Sequence, residues 1–339
     1  GGEAGGGAGA EAASWRGSAR TRPVVSLTGA GGPGRGEDVT YDPPDHGALS
    51  HVGQLAPTGE FTVDSFSAAL DDVDLFPSPP ERESARHYRR WAYESAALSL
   101  ALRQADTHLG AALGVERDPV RFDTSARLTP IESDDSPTTD RVHEVRERVP
   151  GVKFELDATS EWDDLVDDRA AIGAVVTLDL KGQYHGTAVD QKADPDLYRR
   201  VIEGFPDAVI EDPAMTDETS AVVEGAADRV SWDAPITGVE SVEALPFDPH
   251  WLNVKPSRFG TVESLLETVE WAERRDVRLY GGGQFELDVG RAQIQAFASL
   301  LYPDGPNDVA PGVYNDPEVG ANLPTSPLTP GAAPRGVEF

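Results

Sequence analysis

AVIEDPAMTDETSAVVEGAADRVSWDAP, residues 208–235, places an apolar run, an acid and a nearby proline at each end of a polar, helix-prone middle. Glu211 closes the first run and Asp233 follows the second, 22 residues later. Short apolar runs bounded by breakers read as buried strands, and a charge at the tip of one must be paired or metal-bound. The same grammar extends both ways. Upstream, VVTLDLKG (175–182) carries Asp179 at its end; downstream, WLNVKPS (251–257) carries Lys255.

Seven such runs alternate with helical segments from about residue 120: VRFDTSARL, VKFELDA, VVTLDLKG, AVIEDP, RVSWDAPI, WLNVKPS and VRLYGGG. Two of the helices are clear by period. Val262, Leu265, Leu266 and Val269 fall at i, i+3, i+4, i+7, as do Ile294, Phe297, Ala298 and Leu301. Repeated β-α units predict parallel strands, most simply a (β/α) barrel. A doubly wound open sheet would bring a Gly-rich fingerprint after its first strand, and VRFDTSARL has none.

Ahead of the barrel the grammar differs. TRPVVSLTGAG and GRGEDVTY read as strands, YDPPDHGALSHVGQLAPTG as a long loop, and RHYRRWAYESAALSLALRQADTHLGAAL as helix. The expected organisation is a flexible Gly/Ala-rich tail (1–20), an α+β capping domain (21–120), the barrel (121–314) and a Pro/Gly-rich segment (315–339) wrapping back toward the cap.

The 339 residues hold 59 acids against 29 bases, a net charge of −30, and no cysteine. So acidic a surface repels phosphate backbones and anionic headgroups, which argues against nucleic-acid and membrane partners. It suits a high-salt, cytoplasmic setting and a halophile. Homo-oligomerisation stays open. Disulfides and thiolate metal sites are excluded.

Lysine is scarce: Lys153, Lys181, Lys192 and Lys255 are the only four. Arginine keeps its proton and is a poor general base, whereas lysine can lose its own when desolvated or set beside another cation. Lysines retained in so lysine-poor a chain are expected where arginine fails. Three lie on predicted strands; Lys192, in DQKADP, reads as solvated. Asp179, Glu211 and Asp233 on successive strands make an oxygen-only donor set that suits Mg²⁺.

NVKPSRFG, VIEDP, SWDAP, YGGGQFELDVGR, GRGED and the helix ESAALSLALRQADTHLGAALG, in that spatial role and order, resemble the enolase superfamily over roughly residues 22–315. The resemblance implies a modified TIM barrel, (β/α)7β, with an N-terminal α+β capping domain. It implies Mg²⁺ held by Asp179, Glu211 and Asp233, and removal of the proton α to a carboxylate of a small-molecule substrate. A lysine ending the sixth strand is similar to the muconate cycloisomerase and o-succinylbenzoate synthase-like subgroup, with cycloisomerisation, racemisation or epimerisation, and syn-dehydration as outcomes. Lys153 and Lys255 are then the acid/base pair. The subgroup's second strand carries Lys-x-Lys; this chain has Lys153-Phe154-Glu155, and Lys181 stands where a neutral Asn is common. A Glu155–Lys181 pair in the barrel mouth is therefore expected, with Lys181 a third functional amine. Glu286 is expected to orient Lys255 or touch substrate, Gly282 to let substrate approach the backbone, and His185 to reach substrate from a loop. The cap loop 41–57 is expected to close the site. The alternative is a catalytically silent binding protein on the same fold.

Overall fold

The computed structural model describes residues 7–15, 18–49, 55–126, 139–158, 173–187, 189–316, 318–332 and 334–339, with side chains from Arg22 onward. The chain begins with a three-stranded antiparallel sheet, β1 (Gly7–Trp15), β2 (Ser18–Gly29) and β3 (Gly32–Glu37). Residues 7–15 were expected to be part of a flexible tail. Instead they pair along β2 from Gly7 opposite Ser26 to Trp15 opposite Ser18. A Gly/Ala-rich strand is recruited by backbone hydrogen bonds, so it leaves no apolar period to read.

The helix Ser84–Gln104 lies across this sheet. Gly34 and Gly36 permit the contact: a Cβ on either would come within 2.1 or 2.0 Å of the carbonyl oxygens of Ala96 and Ala92. The expected single helix over 86–113 instead breaks where Asp106 turns left-handed (φ 51°), then resumes at Leu109–Leu113. The Pro-rich loop contains a short helix, Pro43–Leu49; residues 50–54 of the expected closing loop lie outside the described residues. Leu27, Phe66, Leu70 and Phe76 form a local core for this cap.

Seven parallel strands follow in the order β10-β9-β8-β7-β6-β5-β4. They are β4 (Thr124–Ala126), β5 (Phe154–Asp157), β6 (Val175–Asp179), β7 (Val209–Glu211), β8 (Val230–Trp232), β9 (Trp251–Val254) and β10 (Arg278–Gly281). Local chemistry sets the connecting helices. Pro195–Gly204 starts on Asp194, whose carboxylate accepts from the amides of Asp196 (3.0 Å) and Leu197 (2.9 Å), with proline in the first turn. Val262–Glu273 starts on Thr261 and buries Val262, Leu265, Val269 and Ala272, the predicted stripe shifted slightly around the helix. The helix expected over 161–173 lies, apart from Gly173, outside the described residues.

Closure of the barrel rests on residues 307–308. Asn307 bridges Phe122, and its Oδ1 accepts from Gly281 N at 2.7 Å. Its Nδ2 donates to the carbonyls of Arg121 (2.9 Å), Tyr302 (3.0 Å) and Gly305 (3.0 Å). Asp308 N donates to Gly281 O at 2.8 Å. The eighth strand is thus reduced to a bridge between β10 and β4, giving the modified barrel with an N-terminal cap.

Two buried polar groups fasten the cap to the barrel loop after β10. Arg22 donates to the carbonyls of Thr40 (2.7 Å), Gln284 (3.1 Å) and Phe285 (3.3 Å). Glu37 accepts from the amides of Leu287 (2.7 Å), Asp288 (3.1 Å) and Gly290 (2.9 Å). The C-terminal segment runs back along the stretch that joins cap to barrel, with Leu328 paired to Val120 and Gly336 to His108. Among the described residues no helix is long and apolar enough to cross a membrane.

Candidate functional site

Side chains alternate along a strand, so the residue at each tip and the one two places before it face the barrel axis together. Asp179 and Glu211 end β6 and β7, and Asp233 follows β8; all three are fully buried. Glu211 is held from below by β9 and β10. Its Oε2 accepts from Asn253 Nδ2 at 2.9 Å and from the Tyr280 hydroxyl, while Oε1 has no protein partner. Asp212 follows with a left-handed backbone (φ 48°). Its carboxylate accepts from the amides of Asp233 (2.8 Å) and Ala234 (2.9 Å), so this acid braces the next strand's exit.

Lys255, at the end of β9, reaches back one strand. Its Nζ donates to Asp233 Oδ2 at 2.7 Å, and the same oxygen accepts from Tyr184 OH (2.7 Å) and Arg258 NH2 (3.2 Å). Lys181, two residues past Asp179, folds back on it: its amide donates to Asp179 Oδ1 at 2.8 Å and its ammonium caps Oδ2. The same ammonium stands 3.2 Å from Asp157. The Glu155–Lys181 pair expected from the sequence therefore gives way to Asp157 and Asp179. Register explains the change, because Asp157 lies level with Asp179 while Glu155 sits lower, opposite Thr177. Glu155 keeps one distant neighbour, the Ser125 hydroxyl at 3.5 Å, and its Oε2 has no partner.

Lys153 does not join the site. It precedes β5, at the strand's N-terminal end, and is exposed. Parallel barrel strands deliver side chains to the mouth only at their C-terminal ends. By that rule the β5 residue to choose is Asp157.

The enclosed charges do not balance. Among the described residues at the strand tips, Glu155, Asp157, Asp179, Glu211, Asp212 and Asp233 outnumber Lys181, Lys255 and Arg258, and Asp308 adds a further acid beside Glu155. Burial, and then the charges of neighbouring acids, push the carboxyls of Glu155 and Glu211 well above the usual range. The same causes raise Asp212 to about 8. Asp233 behaves oppositely: against its desolvation, Arg258 and Lys255 hold it down to about 2. Desolvation works against the charge on Lys181 and Lys255, but the surrounding carboxylates outweigh it and raise both. Buried excess anions call for a cation. The partnerless Glu155 Oε2, Glu211 Oε1 and Asp233 Oδ1, all oxygen donors, fit a divalent one such as Mg²⁺.

Above these groups a cavity of about 590 Å³ opens between cap and barrel. Tyr41 and Tyr88 line it from the cap, and Glu155, Lys181, Lys255 and Arg258 from the barrel. His185 stands at its rim, largely exposed and 3.9 Å from Asp190. Gly282 makes room for a lysine: a Cβ there would lie 2.6 Å from Lys255 Cε. Glu286 braces the loop after β10, its Oε2 accepting from Gln284 N at 2.7 Å. Asn253, Tyr280, Tyr184 and Arg258 were missed in the sequence. For Asn253 the signal was available, since it lies two residues before Lys255 on the same strand face.

Family models match residues 8–112, described as "Domain of unknown function (DUF8230) N-terminal domain", and residues 116–316, described as the C-terminal domain of the same family. No curated protein matches the chain. Solved structures similar to it carry the enolase-superfamily fold. A superfamily member from Listeria innocua is 18% identical, with a TM-score of 0.67 over 92% of this chain and 84% of that one. A dipeptide epimerase from Methylococcus capsulatus, complexed with Mg, is 18% identical, with a TM-score of 0.65 over 90% and 89%. Muconate cycloisomerase from Pseudomonas fluorescens is 16% identical, with a TM-score of 0.65 over 90% and 86%.

Proposed function

The chain belongs to the DUF8230 family, and we propose that it is a divalent-metal-dependent enzyme that removes the proton α to a carboxylate of a small-molecule substrate. The observation that carries this reading is the buried surplus of carboxylates at adjacent strand ends, with two amines lining the cavity beside them. Asp179 and Glu211, with Asp233 as the third acid expected from the sequence, would hold Mg²⁺. When bound, that ion would supply positive charge to the substrate carboxylate, which favours loss of the α-proton.

The chain's own residues do the rest. Lys255, kept protonated by Asp233, presents a fixed ammonium on one side of the cavity, where it can stabilise developing negative charge or return a proton. Lys181 stands three strands further round, on the other side of β7 and β8, as the second amine able to exchange a proton with substrate. Tyr41 and Tyr88 exclude water from the cap side. Racemisation or epimerisation, cycloisomerisation and syn-dehydration share this first step. The Mg-bound dipeptide epimerase and the muconate cycloisomerase among the similar folds make the first two the classes to try first. A soluble, cytoplasmic, halophilic setting is consistent with the acid excess.

The test is proton–deuterium exchange at the α-carbon, followed by NMR in D₂O with a panel of carboxylates and dipeptides, with and without Mg²⁺. No exchange with any member under either condition refutes the reading. A second reading is favoured by the seating of Lys181 on Asp179 and Lys255 on Asp233: the ammonium groups replace the metal and the cavity binds carboxylates without turnover. Saturable binding with no exchange distinguishes it.

A further inference from the structure

Gln284, in the loop after β10, is 2% exposed and lines the cavity between cap and barrel. Its polar groups meet both domains. The backbone N–H donates to Glu286 Oε2 at 2.7 Å, and the backbone carbonyl accepts from Arg22 of the cap at 3.1 Å. The side-chain amide lies between Tyr41, from the cap, and Arg258, in the single helical turn after β9.

Chemistry fixes which end of that amide faces which neighbour. A guanidinium has donors only, so the amide oxygen faces Arg258, at 2.6 Å from Nε and 2.9 Å from NH2, and the amide nitrogen faces the Tyr41 hydroxyl. The rest of the guanidinium is spent on the barrel. NH1 donates to Ala234 O at 2.8 Å, and NH2 also reaches Asp233 Oδ2 at 3.2 Å. That same oxygen accepts from Lys255 Nζ at 2.7 Å. Lys255 and Arg258 thus share one oxygen, and the place of the guanidinium sets how much of it the ammonium holds. A chain of contacts runs from Tyr41 through Gln284, Arg258 and Asp233 to Lys255. Glu37, on the amides of Leu287, Asp288 and Gly290, ties the same loop to the cap. A displaced cap therefore pulls on Gln284 through its backbone as well as its side chain.

We propose that Gln284 is a positioning residue: its amide oxygen holds Arg258 back from Asp233 and its amide nitrogen rests on Tyr41, so that Lys255 keeps its place in the cavity only while the cap is seated. With the cap displaced, or the amide lost, the guanidinium loses an acceptor, closes on Asp233 Oδ2 and loosens the ammonium. The charged side of the cavity is then complete only under a closed cap. What Lys255 does to a substrate rests on the function proposed above; where it sits does not.

The test uses the four lysines of the full chain as reporters. Lysine labelled with ¹³C at Cε gives one set of NMR signals per residue, and the set missing from Lys255→Met is that of Lys255. Wild type, Tyr41→Phe, Gln284→Leu and the double variant are compared, each with a melting curve. The Lys255 signals are expected to move in the same direction in both single variants, while those of Lys153 and Lys192, both exposed, stay in place. With a carboxylate that the wild type turns over, α-proton exchange in Gln284→Leu is expected to fall about tenfold or more, as misplacing a reacting group does. The double variant is expected to match Gln284→Leu within about twofold, because Tyr41 acts through the amide. Lys255 signals unmoved in a folded Gln284→Leu reduce Gln284 to a structural contact and overturn the proposal. So do exchange losses that multiply in the double variant, or exchange in Gln284→Leu within about threefold of wild type. Should Gln284→Leu not fold, Tyr41→Phe, which deletes one oxygen, decides by the same signals. A wild type that exchanges no substrate refutes the function proposed above, and the Lys255 signals still decide whether Gln284 places the ammonium.

Discussion

Lys255→Met removes one ammonium and keeps most of the stem. Lys255 is 7% exposed and donates at 2.7 Å to an oxygen that also accepts from Tyr184 and Arg258. Breaking a buried ion pair costs about 3–5 kcal/mol when it strands the partner charge. Here Asp233 keeps two donors, so the loss of stability should be smaller, about 1–2 kcal/mol by the same scale. Proton transfer has no such reserve. Removing a general acid or base typically costs about 10²–10⁴-fold in rate, and α-proton exchange should fall by that factor. Asp233, held down to about 2, supports the fold above the ordinary carboxylate range and loses that support as pH falls toward 2. In Lys255→Met this acid limb should therefore move to higher pH. The assays are deuterium exchange by NMR and urea denaturation at stepped pH. Exchange within tenfold of wild type would refute a chemical role for Lys255, and an unmoved acid limb would refute the electrostatic account of Asp233.

Lys181→Met frees Asp179 of its ammonium; Mn²⁺ affinity should rise several-fold while exchange falls, and weaker metal binding would show that Lys181 does not compete with the ion. Glu37→Ala leaves three buried amides without their acceptor, at about 1–3 kcal/mol for a stranded group and partly relieved by water. A destabilisation of about 3 kcal/mol in urea is expected, and less than 1 kcal/mol would mean that the cap does not depend on this latch.

The strand tips were legible because burial leaves few options. An apolar run ending in a charge, repeated at near one-unit spacing, gave Asp179, Glu211, Asp233 and Lys255 their places at the mouth. What misled was the other end of a strand. Lys153 stands just before Phe154 and Asp157 closes the strand at its other end, and only strand polarity separates the two. Glu286 was read from the resemblance of YGGGQFELDVGR, and in the turn after β10 one of its oxygens accepts from Gln284 N. Pairings across strands, such as Tyr280 and Asn253 with Glu211, depend on register, which a single sequence does not state. β1 was invisible because alanine and glycine pair through their backbone.

Asn307 stitches the barrel where a whole strand would normally run. Its nitrogen faces three carbonyl oxygens and its oxygen faces one amide. Exchange of that nitrogen for oxygen, as spontaneous deamidation accomplishes, would set a carboxylate against three like dipoles inside the wall. Such a change would loosen the wall first where β4 and β10 are held together by that one side chain.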